Sequence, residues 1–314
     1  MLINQSVLKS FIKVTERAAL GASYYIGKND KIAADQGAVD EMRNELNKIE
    51  MKGRIVIGEG ELDEAPMLHI NEAVGSKSGE EFDIAVDPLE GTNFTAKNLP
   101  NAFSVLAVTR KGNLLNAPDV YMEKIAIGKN LPKNIVDLDY GVKKNIKLLA
   151  NAKNVQTNNI TACLLKRPRH NKIIKDLKDL NVKIIYIDDG DVSGALTVSS
   201  PISKVDIFLG TGGAPEGVLA ASALKCLDCQ MQTRLVFSNE IEKSKAKNLG
   251  IKDLNRKYYI DDMVKGDVIF CATGVTDGDL VSGIKFDGSY FLSETLALHK
   301  SSGINKVYKN KSIK

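Results

Sequence analysis

Short apolar runs recur through this chain, and most of them stop on a carboxylate or a glycine. That punctuation constrains the fold more than any other feature. A run of about four to eight β-branched and apolar residues is strand-sized. Such runs appear at 53–57, 82–86, 104–109, 121–127, 160–165, 182–187, 205–209 and 267–272. Helical periodicity separates several of them, at 7–26, 32–49, 139–152, 171–180 and 218–223. Strands that alternate with helices call for a parallel or mixed sheet covered by helices, hence an α/β (α+β) chain. Tyr290-Phe291 begins a last strand region, followed by a loose basic end to Lys314. A cut near Ala152 divides the chain into subdomains 1–152 and 153–314.

The stretch Asp83-Ile84-Ala85-Val86-Asp87-Pro88-Leu89-Glu90-Gly91-Thr92 shows the pattern at its sharpest. Pro88 cannot donate a ladder hydrogen bond, so the strand is expected to end there. Asp87 and Glu90 then lie at the strand's carboxyl end, where open α/β sheets place ligands. Gly91 permits close backbone approach, and Thr92 starts a helix whose N–H groups favour an anion. Hard-cation ligands beside an anion pocket suit a metal-dependent phosphatase. An ordinary strand exit is the competing reading.

A second acidic loop follows the strand at 53–57. Glu59, Glu61, Asp63 and Glu64 lie among glycines there. Those glycines cost entropy that a plain surface turn would not need, and a loop approached closely by a ligand accounts for them. Lys31 and Asp35 are one helical turn apart and share a face, either as a surface ion pair or as part of a site. Lys166-Arg167-Pro168-Arg169-His170 places basic side chains after a strand, which suits a phosphate, although a solvated helix start has the same composition. His170 is one of only three histidines, so histidine catalysis has few candidates. Gly210-Thr211-Gly212-Gly213-Ala214-Pro215-Glu216-Gly217 reads as a glycine-rich strand-to-helix turn of the kind that cradles phosphate. Pro215 breaks the dinucleotide fingerprint and no Lys-Ser/Thr ending follows, which disfavours a nucleotide. Asp189 to Gly194 shares spacing with a calcium loop, but Ser200 stands where a glutamate is needed.

Bulk properties exclude other classes. A net charge of +4 over 314 residues gives no nucleic-acid footprint. The first residues have no basic stretch followed by an apolar one, and no apolar run reaches membrane length, so no membrane partner is expected. The four cysteines include one Cys226–Cys229 pair, too little for a zinc site and consistent with a reducing cytoplasm.

Asp87 to Thr92 resembles the DP(I/L)(D/E)GT signature of the lithium-sensitive phosphatase superfamily. Ile57 to Leu68, Leu115 to Asp119, Gly212 to Gly217 and Ala272 to Asp279 resemble, in order, the class II (GlpX-type) fructose-1,6-bisphosphatases. The resemblance runs from about Val7 to Glu294. It implies a layered α-β-α-β-α sugar-phosphatase sandwich with the site between two subdomains. The first subdomain would carry most metal ligands and the second the substrate phosphate contacts. It implies Mg²⁺ or Mn²⁺ held by Asp35, Glu59, Asp87, Glu90 and Glu216. Lys31, Asp63 and Thr92 match polar groups beside the attacking water. Glu90, Gly91, Thr92, Tyr121, Arg167, Pro168, Arg169, Asp189, Gly190, Asp191 and Gly213 match substrate-contacting positions. The implied reaction is hydrolysis of the 1-phosphate of fructose 1,6-bisphosphate in gluconeogenesis, by a cytoplasmic homo-oligomer (dimer or tetramer). The alternatives are a dual fructose/sedoheptulose bisphosphatase, an inositol-phosphate phosphatase, or a non-catalytic binding protein that has kept the anion pocket. The last would lack one of the five carboxylates, and all are present.

Overall fold

The computed structural model describes residues 2–58, 68–199 and 203–314. In chain order they form α1 (Leu8–Ser23), α2 (Lys31–Leu46), β1 (Met51–Ile57), β2 (Ala73–Val74), β3 (Glu80–Glu90), α3 (Thr92–Ala96), β4 (Phe103–Arg110) and β5 (Tyr121–Ile127). There follow α4 (Val142–Ala152), β6 (Thr161–Leu165), α5 (Asn171–Asp179), β7 (Lys183–Ile187), α6 (Asp191–Leu196), β8 (Ile207–Gly213), α7 (Ala214–Cys226) and β9 (Gln230–Val236). The remainder is α8 (Glu240–Asn248), β10 (Lys257–Tyr259), α9 (Ile260–Met263), β11 (Val268–Gly274), β12 (Lys285–Asp287), β13 (Tyr290–His299) and β14 (Ile304–Ile313). No helix among the described residues is long and apolar enough to cross a membrane.

Two compact units result, Met1–Leu115 with Val264–Lys314, and Asn116–Met263. The cut drawn at Ala152 falls inside the second unit. Local periodicity could not show that β11 returns to pair along β4, from Val268↔Thr109 to Gly274↔Phe103, making the first unit discontinuous.

The first unit is an eight-stranded mixed sheet, β12-β13-β11-β4-β3-β1-β2, with β14 on β13. Among the described residues only its β1–β3 pairing is parallel. The apolar faces of α1 and α2 pack on this sheet, burying Phe11, Leu20, Met42 and Leu46 with Phe82, Ile84, Leu106 and Phe291. Phe11 meets Phe82 edge-on at 6.2 Å between ring centroids, a favoured aromatic geometry. The loose basic end expected from sequence is instead strand: β14 pairs with β13 from Tyr290↔Ile313 to His299↔Ile304. Lys309 and Lys311 are exposed and alternate with the half-buried Tyr308, Asn310 and Ser312, and Lys309 and Asn310 reach back to Glu294 and Glu16. A lysine-rich edge strand also resists pairing with other chains.

The second unit is a six-stranded mixed sheet, β10-β9-β5-β8-β6-β7. On one face α4 and α5 bury Ile146, Leu149 and Leu177 against Ile125, Leu164, Ile207 and Leu209. On the other, α7 meets Met122 and Lys124 through Gly217, and α6 meets Phe208 through Gly194. Two mixed sheets with their helices make this the α/β (α+β) class read from the sequence.

Candidate functional site

In the first unit, the stretch Asp87–Thr92 is built differently from its sequence reading. β3 does not stop at Pro88 but runs to Glu90, opposite Phe103. The ladder shifts register between Asp87 and Glu90. That irregularity houses the proline, whose missing N–H would otherwise break the ladder. Asp87 Oδ1 accepts the Leu89 N–H at 3.1 Å, fixing the carboxylate over the bulge. Glu90 is buried at 5% exposure. Gly91 follows at φ 87°, ψ 46°, left-handed geometry that a side chain resists. The turn delivers Thr92 to the first position of α3, as the sequence suggested.

α2 packs against β3 and α3. Asp30 caps α2 by accepting the Ala33 N–H at 2.9 Å, so Lys31 opens the helix and Asp35 lies one turn on. The preceding segment is tied to α3 by Gly27 N–H to Thr95 O (3.0 Å) and Asn29 N–H to Ala96 O (2.8 Å). The structure therefore brings the start of α2 beside the Asp87–Thr92 turn. Lys31 is exposed and Asp35 half-buried. Glu59 and Asp63 belong to residues 59–67, outside the described residues.

In the second unit, the glycine-rich segment is likewise more regular than expected. β8 continues through Gly213, paired with Tyr121, and α7 starts at Ala214 without an intervening turn. Pro215 is accommodated in the first turn of α7, where its missing N–H costs nothing. Glu216 also sits in that turn. Its Oε2 is buried and has no hydrogen-bond partner among the described residues. Burial pushes the Glu216 carboxyl above its usual range, against the opposing pull of the Lys124 charge. A Cβ on Gly213 would lie 2.0 Å from that oxygen, so the glycine makes room for the carboxylate.

Arg167, Pro168 and Arg169 form a tight turn after β6. Arg167 approaches Asp189 at 3.9 Å. Arg169 donates through Nε to Thr211 O at 2.8 Å and lies over the Tyr121 ring at 4.8 Å, a cation–π contact that orients the guanidinium. Gly190, left-handed at φ 88°, caps α6, and Asp191 is its first residue. Within this unit, Tyr121, Arg169 and the end of β8 converge, with Arg167 and Asp189 adjacent. Asp191 pairs with Lys124, a lysine only 1% exposed. Sequence reasoning missed Lys124. Its one signal is a charge in phase with Met122 and Ala126 on an otherwise apolar face of β5.

The sequence profile of the family described as "Bacterial fructose-1,6-bisphosphatase, glpX-encoded" matches residues 5–312. The chain belongs to this family. It is 42% identical over 320 residues to the fructose-1,6-bisphosphatase class 2 of Haemophilus influenzae, covering 97% of this chain and 96% of that protein. It is 41% identical over 312 residues to fructose-1,6-bisphosphatase 1 class 2 of Escherichia coli K12, covering 95% and 92%. Among solved structures, the Thermotoga maritima IMPase aligns at a TM-score of 0.36 and 15% identity, over 65% of this chain and 76% of that chain. Family membership makes this chain a phosphatase, an enzyme of the hydrolase class.

A divalent cation is the cofactor that the sequence resemblance implies, and the residues fit one. The candidate ligands are carboxylates throughout, which are hard oxygen donors. In the second unit, Glu216 has a buried oxygen with no hydrogen-bond partner among the described residues, a donor that suits such an ion. Among the described residues no group of three or more histidine, cysteine, aspartate or glutamate side chains is closed enough to hold an ion by itself.

Proposed function

We propose that this chain hydrolyses the 1-phosphate of fructose 1,6-bisphosphate, giving fructose 6-phosphate and phosphate, with Mg²⁺ or Mn²⁺ as cofactor. The observation that carries this reading is identity above 40% along nearly the whole length of proteins named for that reaction. Asp35, Asp87, Glu90 and Glu216, with Glu59 from outside the described residues, are the proposed cation ligands. When bound, the cation supplies Lewis-acid stabilisation of charge on the phosphoryl oxygens.

The other roles fall to the chain's own groups. Arg167 and Arg169 hold the phosphate that is not cleaved, Arg169 already oriented by Tyr121 and Thr211. A guanidinium presents fixed donors to a phosphate, so a preset orientation reduces the ordering cost of binding. Glu90, Gly91, Tyr121, Pro168, Asp189, Gly190, Asp191 and Gly213 contact the sugar and its phosphates. The Thr92 hydroxyl, with Asp63 and Lys31, orients the attacking water and its proton, a positioning role that phosphoryl transfer requires. No covalent intermediate is needed. Assembly as a homo-oligomer, dimer or tetramer, in the cytoplasm is part of the same reading. Light scattering on the purified protein tests the assembly.

The deciding experiment is phosphate release from three substrates: fructose 1,6-bisphosphate, sedoheptulose 1,7-bisphosphate and inositol 1-phosphate. Each is assayed with Mg²⁺ or Mn²⁺ and again after EDTA. Turnover of the fructose substrate that EDTA abolishes is expected. Turnover unaffected by EDTA sinks the cation role, and preference for either other substrate sinks the substrate assignment.

A further inference from the structure

His170 is 1% exposed and lies at the end of the basic turn. Both of its ring nitrogens are engaged. Nδ1 lies 2.7 Å from Leu165 O, at the end of β6, and that oxygen can only accept. Nε2 lies 2.8 Å from the Thr211 N–H, which can only donate. The Thr211 carbonyl, which accepts from Arg169 Nε at 2.8 Å, is also 3.2 Å from Nε2, a longer contact than the one to the N–H. The two shortest contacts match a ring with its proton on Nδ1 and a lone pair on Nε2. A proton on Nε2 would face the Thr211 N–H and break the contact. The main chain helps: His170 N–H donates to Arg167 O at 2.9 Å, closing the turn. Opposite the ring, a Cβ on Gly210 would come within 3.0 Å of His170 Cε1, tighter than an ordinary contact, so the glycine leaves room for the imidazole beside β8.

We propose that His170 is a positioning residue for substrate. As the neutral Nδ1–H tautomer it staples the Arg167–Arg169 turn to the ends of β6 and β8, and so sets the angle at which the Arg169 guanidinium meets a phosphate. This rests on the reading that Arg167 and Arg169 hold the phosphate that is not cleaved. His170 itself touches no substrate. Its effect belongs to binding of that phosphate rather than to the bond-breaking step.

The test uses His170→Ala, His170→Asn and His170→Gln in the full chain. Asparagine can keep the donor to Leu165 O, and glutamine can keep an acceptor for Thr211 N–H. In His170→Ala, KM for fructose 1,6-bisphosphate and the inhibition constant of fructose 6-phosphate rise about tenfold, while kcat changes less than about threefold. Inhibition by inorganic phosphate stays as in the parent protein. Asparagine and glutamine each restore part of the loss. A purely structural role would move kcat and both inhibition constants together, and that pattern overturns the proposal. Arg167→Ala and Arg169→Ala are the controls. If they leave fructose 6-phosphate inhibition unchanged, the phosphate reading fails and this proposal fails with it. If they weaken it and His170→Ala does not, only this proposal fails. Should His170→Ala not fold, ¹⁵N spectra of the imidazoles in the parent protein decide. The protein has three histidines, His170→Gln assigns the signal, and an Nε2–H tautomer there overturns the proposal.

Discussion

Lys124→Met isolates a buried charge from its packing. The Lys124 side chain is 0% exposed and that of Asp191 7%. The pair therefore belongs to the buried regime, where losing one partner costs about 3–5 kcal/mol, rather than the exposed one, where pairs contribute about 0–1 kcal/mol. Methionine fills nearly the same space, so the alkyl stem beside Gly217 keeps its contacts. What disappears is the cation facing Asp191, whose charge also acts on buried Glu216. Two carboxylates then remain with less compensation, which places the loss in the upper half of that range. Urea unfolding followed by far-UV circular dichroism is the assay, because the chain has no tryptophan to report by fluorescence. With a slope near 3 kcal/mol per M, the midpoint falls by about 1 M or more. Adding Asp191→Asn removes the stranded charge without added bulk, which matters because Asp191 lies against Gly212. The double variant recovers more than half of the loss. A single variant within about 0.5 kcal/mol of the parent refutes the reasoning, because only a solvent-screened pair is that weak.

Asp267 is a second buried hub. It accepts from Ile3 N–H (2.8 Å), Ser301 N–H (2.9 Å) and Ser301 Oγ (2.7 Å), and its Oδ2 lies 3.1 Å from His299 Nε2. Burial alone would raise its carboxyl, but those hydrogen bonds outweigh it and hold the group below the usual carboxylate range. A depressed folded value means stabilisation that is complete above the unfolded pKa of about 4 and lost as pH falls through the folded one. Asp267→Asn therefore flattens acid unfolding below about pH 4, and Asp267→Ala, which strands buried donors, costs about 3 kcal/mol or more by urea titration. Gly213→Ala drives a methyl into Glu216 Oε2, and the cation concentration for half-maximal activity rises about tenfold or more, read from Mg²⁺ and Mn²⁺ titrations. Ending the chain after Gly303 strips β14 from β13, and the truncated protein elutes as aggregate in size-exclusion chromatography because a long apolar edge is uncovered.

Local chemistry was the legible part of the sequence. Apolar runs marked β1, β3 to β8 and β11, but not β9 or β14, and the ends of β3, β6 and β8 carry the acidic, basic and glycine segments singled out from composition. Proline and glycine misled where pairing overrode them. Pro88 looked like a stop because its missing N–H breaks a regular ladder, yet the register shift between Asp87 and Glu90 absorbs it. Gly210 to Gly213 looked like a turn, yet β5 pairs with all four residues and holds them extended. The stretch after Ile304 looked like a loose basic end, yet its backbone pairs with β13 along the whole strand while its lysines stay exposed. The Lys124–Asp191 pair and the His170–Thr211 contact could not be read, since each joins residues dozens of positions apart whose proximity only the sheet order creates.

The discontinuity of the first unit has a consequence for how the protein is made. Residues 116–263 are contiguous and can close into their sheet as soon as they leave the ribosome. The first sheet cannot. β4, apolar along its centre and buried along most of its length, has β3 on one side and must wait for β11 on the other. At ordinary elongation rates that wait is on the order of ten seconds. During it, the β4 edge is an open template for any passing strand. Synthesis is thus a race between completing Val268–Gly274 and capture of that edge, and the outcome turns on elongation speed and chaperone access as well as on the finished fold's stability.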